Sequence, residues 1–168
     1  RGSLSNTINY KGLSFGVVFT YSYGNVVRLR KLSNIYTDYG NIPRELNNRW
    51  QYIGDENKTN IPVVYTTYMQ NSYGYSEITQ AYNTYDYSDI RIAKGDNIRL
   101  KEISLGYTFD KDFLRDTRIR LLSMKLQATN VALLYADKKL NGDDPDYLAN
   151  GYTPISPKRI IFTLRVGL

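Results

Sequence analysis

An acidic run near the C-terminal end of the sequence has the composition of a possible metal site. Asp143, Asp144 and Asp146 could supply carboxylate oxygens to a Ca²⁺ ion. Their spacing lacks the central glycine and the later glutamate of an EF-hand loop, and an Asp-Pro turn accounts for the same residues without an ion. The sequence leaves both interpretations of these carboxylates open.

Histidine and cysteine do not occur in the sequence. A disulfide framework, a Cys/His metal centre and Cys/His or Ser/His catalysis are therefore excluded. Pairs of carboxylates for acid–base catalysis cannot be identified, because nothing in the sequence fixes the separation between two acidic side chains. We predict a non-enzymatic protein with no cofactor.

Tyrosine is the most over-represented residue, with 17 of 168 positions, and ten of these lie between residues 25 and 96. So many aromatic rings in a polar loop are typical of contacts with sugars or with a protein partner. Arg49 and Trp50, in the same loop, could instead pack within the loop and anchor it. The candidate contact residues are Arg49, Trp50, Tyr65, Tyr68, Tyr73 and Tyr75.

The segments that must position these residues alternate between apolar and polar side chains, as β-strands do. Five strands are predicted, at residues 4–10, 14–24, 97–109, 118–131 and 158–168. The strands at 14–24 and 158–168 each combine a strongly apolar face with a largely small or polar one. This pattern is typical of a barrel wall between lipid and a water-filled lumen. The residues expected to face lipid are Phe15, Val17, Phe19, Tyr21, Leu105, Tyr107, Leu126, Phe162, Leu164, Val166 and Leu168.

The alternation breaks once within the strand at 97–109, because Ile98 and Leu100 have the opposite parity to Ile103 and Leu105. A β-bulge near Lys101 would restore a single apolar face. Alternatively, the upper part of the strand stands above the membrane. The sequence does not distinguish these explanations.

The connections between the strands alternate between short and long. Residues 11–12 and 111–117 are short connections, whereas residues 25–96 and 132–157 are long loops. Bacterial outer-membrane barrels have short periplasmic turns and long extracellular loops. The predicted fold class is all-β, with about five antiparallel strands at the C-terminal end of a transmembrane β-barrel. Because even small barrels of this type have about eight strands, we expect the missing strands to come from the N-terminal part of the same protein.

The composition agrees with this assignment. No apolar run approaches the length of a membrane-spanning helix. The net charge is +6, but the basic residues lie at strand ends, so nucleic-acid binding is not expected. Arg99, Arg159 and Arg165 could line a solute path, although salt bridges inside the lumen are the commoner role. No signal peptide is recognisable at the start, which leads us to expect a fragment of a mature protein.

Four stretches of the sequence, in order, resemble motifs of one known family. They are the hairpin at 5–14 (SNTINYKGLS) followed by YSYG at 21–24; the loop with NRW at 48–50, GDE at 54–56 and IP at 61–62; the strand at 98–108 (IRLKEISLGYT); and DPD at 144–146 before the final strand. In these motifs the chain is similar to the C-terminal end of the SusC/RagA family of TonB-dependent outer-membrane transporters of Bacteroidetes.

The resemblance implies a barrel of about 22 strands with an N-terminal plug that is absent from this sequence. It further implies import of oligosaccharides or peptides across the bacterial outer membrane, a SusD-like surface lipoprotein as partner, and contact with TonB through the N-terminal part. Two alternatives are a small porin-like barrel assembled from several copies of the chain and a soluble carbohydrate-binding β-sandwich.

Overall fold

A computed structural model of the chain describes residues 1–32, 43–115, 117–149, 151 and 157–168. Parts of the two predicted outer loops, at 33–42, 150 and 152–156, lie outside the described residues. The main feature is a five-stranded antiparallel sheet with the strand order β1-β2-β5-β6-β7, which confirms the predicted antiparallel wall. The strands are β1 Gly2–Tyr10, β2 Leu13–Ser22, β3 Val26–Arg28, β4 Ile92–Lys94, β5 Asn97–Thr108, β6 Leu121–Ala136 and β7 Arg159–Gly167.

A two-residue turn joins β1 to β2. Lys11 and Gly12 both have positive φ angles, of 44° and 80°, as a type I′ hairpin turn requires. Gly12 also accepts a hydrogen bond from the backbone N–H of Thr108, at 2.8 Å. A Cβ atom on Gly12 would lie only 2.5 Å from the carbonyl oxygen of Thr108. The turn therefore needs glycine both for its backbone conformation and for its close approach to the end of β5.

The sheet contains a β-bulge, one of the two explanations that the sequence leaves open for the break in alternation. Val18 and Phe19 of β2 pair with Glu102 and Leu100, so Lys101 is an extra residue in β5. At the same level β6 has its own irregularity, where Asn130 has a φ of 52°. The Lys101 Nζ donates a hydrogen bond to Asn130 Oδ1. Because of the extra residue, Ile98 and Leu100 return to the same face as the apolar residues further along β5.

The strand ends differ from the sequence prediction at several places. The largest difference is in β6, which continues to Ala136 although the prediction ended at 131. The irregularity at Asn130 interrupts the two-residue period, so the sequence pattern does not indicate that the strand continues beyond it. Beyond it, Ala132 pairs with Leu100 and Tyr135 pairs with Ile98.

The first outer loop, predicted at residues 25–96, contains several elements. β3 and β4 form a small antiparallel hairpin, and two helices, α1 Thr67–Tyr73 and α2 Tyr75–Tyr87, lie between them in the chain. Short 3-10 helices occur at Arg44–Asn48, Asp55–Asn57 and Asp89–Arg91. The sequence does not predict α1 and α2, because their apolar faces are narrow. Within α2 only Ile78, Tyr82 and Asp86 are buried.

The remaining elements are short. The helix α3, Lys111–Leu114, forms part of the connection between β5 and β6. The second outer loop contains a 3-10 helix, Lys138–Leu140, and α4, Pro145–Ala149. Within the described residues, no helix combines the length and the apolar character that crossing a lipid bilayer demands.

The buried apolar core lies in the outer loops and not in the large sheet. Val27, Leu29 and Ala93 of the first loop pack with Leu140 and Leu148 of the second. Of the described apolar residues that are buried, all lie in the two outer loops except Leu114 in α3. The two loops therefore form one packed unit, which we call the outer cap (residues 25–96 and 137–157, as far as they are described).

Candidate functional site

The large sheet presents one continuous apolar face. Phe15 of β2 pairs with Ile8 on one side and with Leu105 on the other, and Leu105 in turn pairs with Leu126, which pairs with Phe162. This row crosses all five strands. A parallel row contains Tyr107, Met124 and Leu164. Along each strand the members of both rows alternate with polar residues or glycine, with Ile161 of β7 as the exception.

These apolar side chains are not covered by any other part of the described chain. Leu126, at the centre of the sheet, is 49% exposed, and Phe162 is 63% exposed. A β-sandwich would bury such a face against a second sheet. The residues that we expected to face lipid within the strands all lie on this face by register; Leu168, at the chain end, is also exposed. Exposed apolar surface of this extent calls for an apolar surrounding.

The opposite face of the sheet is small and polar at its centre. Gly16 lies between Thr7 and Ser104 in the register. A Cβ atom on Gly16 would lie 2.7 Å from Ser104 Oγ, so the Ser104 hydroxyl occupies the space beside this glycine. Lys125, Gln127 and Thr163 lie on the same face. The two faces thus differ in polarity as a barrel wall requires.

Aromatic residues cluster where the short connections lie. The ring of Phe109 contacts Tyr107 edge-on, with centroids 4.9 Å apart, and lies 5.2 Å from Phe113 of α3. Tyr10 lies at the same end of β1 and is exposed. At the other end of the sheet, Tyr21 pairs with Ile98. Aromatic side chains at both ends of an apolar band are the arrangement found at membrane interfaces.

A group of charges at the outer end of β5 joins the sheet to the outer cap. Arg99 donates from Nη1 to Asp144 Oδ2 at 2.9 Å and from Nη2 to Asp144 Oδ1 at 2.7 Å. Its Nη2 also donates to Asp146 Oδ2 at 3.0 Å. Burial raises the pKa of Asp144, but the hydrogen bonds and charge of Arg99, together with hydrogen bonds from the backbone of Asp146 and Tyr147, outweigh this effect and hold that pKa below its ordinary value.

The three carboxylates considered as a calcium site form ion pairs with arginines. Asp144 and Asp146 both bind Arg99, and the Oδ2 of Asp143 lies 3.1 Å from the Nε of Arg30. Across the described part of the chain, no group of three or more acidic, His or Cys residues could hold a metal ion. The carboxylates thus link the loop to two basic residues.

A second ion pair lies inside the cap. The Arg91 guanidinium forms two hydrogen bonds of 2.7 Å with the Glu45 carboxylate, and their side chains are 2% and 9% exposed. Burial lowers the pKa of Arg91, yet the hydrogen bonds and charge of Glu45 raise it by more. Burial also raises the pKa of Tyr85, whose ring lies 5.3 Å from the Arg91 guanidinium carbon. This pair fixes the 3-10 helix at 44–48 to the base of the hairpin.

A cleft of about 600 Å³ opens beside this ion pair; we call it the outer cleft. Its lining includes four basic and two acidic side chains, of which Arg91 pairs with Glu45 and Lys58 pairs with Asp55 at 3.0 Å. The other two basic residues are Arg49 and Lys139, which donate to the carbonyl oxygens of Leu46 and Ile92. Five amide side chains complete the polar lining: Asn47, Asn48, Gln51, Asn60 and Asn141.

The candidate contact residues of the first loop do not come together in one place. Arg49 lines the outer cleft, whereas the Trp50 Nε1 donates to the Tyr52 carbonyl, which anchors the loop. Tyr65 contacts Tyr82 edge-on, with centroids 5.0 Å apart. Tyr68, Tyr73 and Tyr75, on the two helices, are largely exposed. Sequence reasoning missed Lys139 and the amides of the cleft, because only the packing of two distant loops brings them together.

Comparison with known proteins gives an independent view of this arrangement. No protein-family model matches the sequence. Over 143 residues the chain is 28% identical to TonB-dependent receptor P39 of Formosa agariphila, an alignment that covers 77% of the chain and 12% of that receptor. The chain is similar to part of a TonB-dependent receptor. The resemblance predicted from the four sequence motifs is thereby confirmed.

Solved structures extend the similarity to the fold. A chain of the RagAB peptide importer in the open-open state matches with a TM-score of 0.52 and 18% identity, over 85% of this chain and 14% of that one. The closed-closed state of the same importer matches with a TM-score of 0.54 and 20% identity, over 86% and 14%. The chain therefore spans about one eighth of the length of the relatives it matches. Its fold is that of an outer-membrane β-barrel segment, located in the bacterial outer membrane.

Proposed function

We propose that the chain forms part of the wall and the outer cap of a TonB-dependent transporter that imports oligosaccharides or peptides. The role is non-enzymatic: the wall separates lipid from the lumen, and the cap contributes to the outer entrance. One observation carries this proposal. A five-stranded sheet presents an exposed apolar face of Phe15, Leu105, Leu126 and Phe162, while the packed core lies in the loops at one end.

The partners follow from the same proposal. The remaining strands and the plug come from the N-terminal part of the protein, which also contacts TonB. Lipid of the outer membrane covers the apolar face. A SusD-like surface lipoprotein lies over the outer cap, where the exposed Tyr68, Tyr73 and Tyr75 offer aromatic contacts. RagAB is named a peptide importer, which supports a role in import. That the substrate here is an oligosaccharide or a peptide is part of the proposal.

Growth of the native bacterium tests this function. Three strains, lacking the full-length protein, TonB or the SusD-like lipoprotein, are grown on a panel of oligosaccharides and peptides as sole nutrient. We expect all three strains to lose growth on the same substrate, with wild-type growth on simple sugars. Unchanged growth of the strain without the full-length protein on every substrate, while the TonB strain fails, would remove this protein from the import step.

Assembly distinguishes the proposal from the alternatives. The full-length protein should fractionate with the outer membrane and run faster in SDS gels before heating than after it, as a folded barrel does. A soluble β-sandwich would fractionate without detergent. A small porin built from several copies of the chain would give a stable oligomer of the isolated chain.

A further inference from the structure

The outer cleft carries a specific inference about the substrate, which rests on the transport function proposed above. We propose that this cleft binds an anionic oligosaccharide, with a carboxylate or sulfate ester held by Arg49 and Lys139 and the sugar hydroxyls held by the amide side chains.

Among the described residues, four basic and only two acidic side chains line the cleft, so its charge is positive. Glu45 and Asp55 each have a basic partner of their own, Arg91 and Lys58. In the part of the chain that the structure describes, Arg49 and Lys139 form no ion pair with a carboxylate; each donates to a main-chain carbonyl. These carbonyls orient the two cations without cancelling their charge. An oxyanion that enters the cleft would meet two charged donors.

The rest of the polar lining suits neutral hydroxyl groups. Each amide side chain offers both a donor and an acceptor, and five such groups line the cleft. The Tyr85 hydroxyl, which also lines the cleft, accepts a hydrogen bond from Arg91 Nη1 and has a proton of its own to donate.

The size and the walls of the cleft favour a sugar over a peptide. A volume of about 600 Å³ lies within the range of ligand sites. An extended peptide gains affinity by pairing with a strand edge and by placing apolar side chains in pockets. None of the lining residues belongs to a β-strand, and the apolar side chains are limited to Leu29, Ile61 and Ile90. Alternating hydroxyls along a sugar chain match the amide lining better.

Binding to the full-length protein, purified from outer membranes in detergent, tests this inference by calorimetry. The probes are trigalacturonate, its fully methyl-esterified form, a sulfated carrageenan oligosaccharide of similar length and an acidic tripeptide. We expect the carboxylated or the sulfated sugar to bind at least about tenfold more tightly than the neutral ester, since the ester loses the charge-assisted hydrogen bonds. The preferred anion identifies the source of the negative charge, and its affinity should fall as salt is added.

Two variants and one matched control locate the site. Arg49→Gln and Lys139→Gln each remove a charge but keep a donor for the carbonyl that the residue binds, and each should weaken anion binding by about tenfold. Lys138→Gln removes the same charge one residue away, from an exposed side chain outside the cleft lining, and should change the affinity by less than about twofold.

Several results would overturn the inference. Equal binding of the charged and esterified sugars, no binding of any sugar, or equal effects of Lys138→Gln and Lys139→Gln would reject the site. Tighter binding of the acidic tripeptide than of any sugar would reject the ligand class. A growth experiment in which loss of TonB has no effect, together with charge-selective binding lost in Lys139→Gln, would instead reject the transport function and retain the site.

Discussion

Arg99, at the outer end of β5, binds the carboxylate of Asp144 with both ends of its guanidinium group, at 2.9 and 2.7 Å. The two residues belong to the barrel wall and to the second outer loop. Asp144 also accepts from the backbone N–H of Asp146, at 2.9 Å, within the first turn of α4. The ion pair therefore fixes the start of α4 to the wall, and Leu148 of the same helix packs into the core of the cap.

Replacement of Arg99 should loosen the second outer loop without unfolding the barrel. Arg99→Ala leaves Asp144 partly buried without its charged partner, and we expect a loss of about 2 kcal/mol in the local stability of the loop. Proteolysis of the full-length protein in intact cells measures this loss as faster cleavage between residues 137 and 157. Arg159→Ala is the matched control, because Arg159 lies on the same polar face near the outer end of β7 and is exposed. Equal cleavage of both variants would show that the ion pair does not hold the loop.

The same ion pair gives the loop a defined dependence on pH. The fold lowers the pKa of Asp144 below its ordinary value of 3.8, so the ionised carboxylate stabilises the folded loop above that pH. This contribution disappears as the pH falls through the lowered pKa. We expect cleavage of the loop by an acid-active protease to be unchanged between pH 6 and pH 4.5 and to rise only below about pH 3.8. In Asp144→Asn the step below pH 3.8 should be absent; its persistence would assign the step to another group.

The inner hairpin turn provides a test of backbone strain. Gly12→Ala forces an L-residue into a φ of 80° and places its Cβ 2.5 Å from the Thr108 carbonyl oxygen. Gly24→Ala imposes a similar φ, of 78°, where no atom lies within 4 Å of the new Cβ. Strain alone costs about 1–2 kcal/mol, so Gly12→Ala should lower the temperature at which the folded band is lost in SDS gels by clearly more than Gly24→Ala. Equal shifts would mean that the end of β5 moves to accept the methyl group.

The sequence was sufficient to predict the wall, because its information is local. The alternation of polar and apolar residues along a strand indicates which side chains share a face, and the lengths of the connections indicate the topology. The bulge at Lys101 was one of two open explanations, and the extension of β6 past Asn130 was missed, because a bulge breaks the period on which the prediction depends.

The cap could not be predicted: Leu148 packs against β3 across more than a hundred residues of chain, and no local pattern encodes that contact. The outer cleft is equally non-local, since Lys139 and Arg49 come from different loops.

The orientation of the apolar face is tested most directly at the centre of β6. Leu126 lies on the apolar face between Leu105 and Phe162, and its neighbour Gln127 lies on the polar face between Ser104 and Ile161. If lipid covers the apolar face, Leu126→Arg places a charge near the bilayer midplane at a cost of about 2–4 kcal/mol, while Gln127→Arg places the same charge in a water-filled lumen. We therefore expect the full-length Leu126→Arg protein to reach the outer membrane in reduced amount and with a weakened folded band, and Gln127→Arg to match the wild type. Because the two substitutions are adjacent in one strand and introduce the same side chain, the reverse result would mean that the polar face is the one turned to lipid, and the assignment of wall and lumen would have to be exchanged.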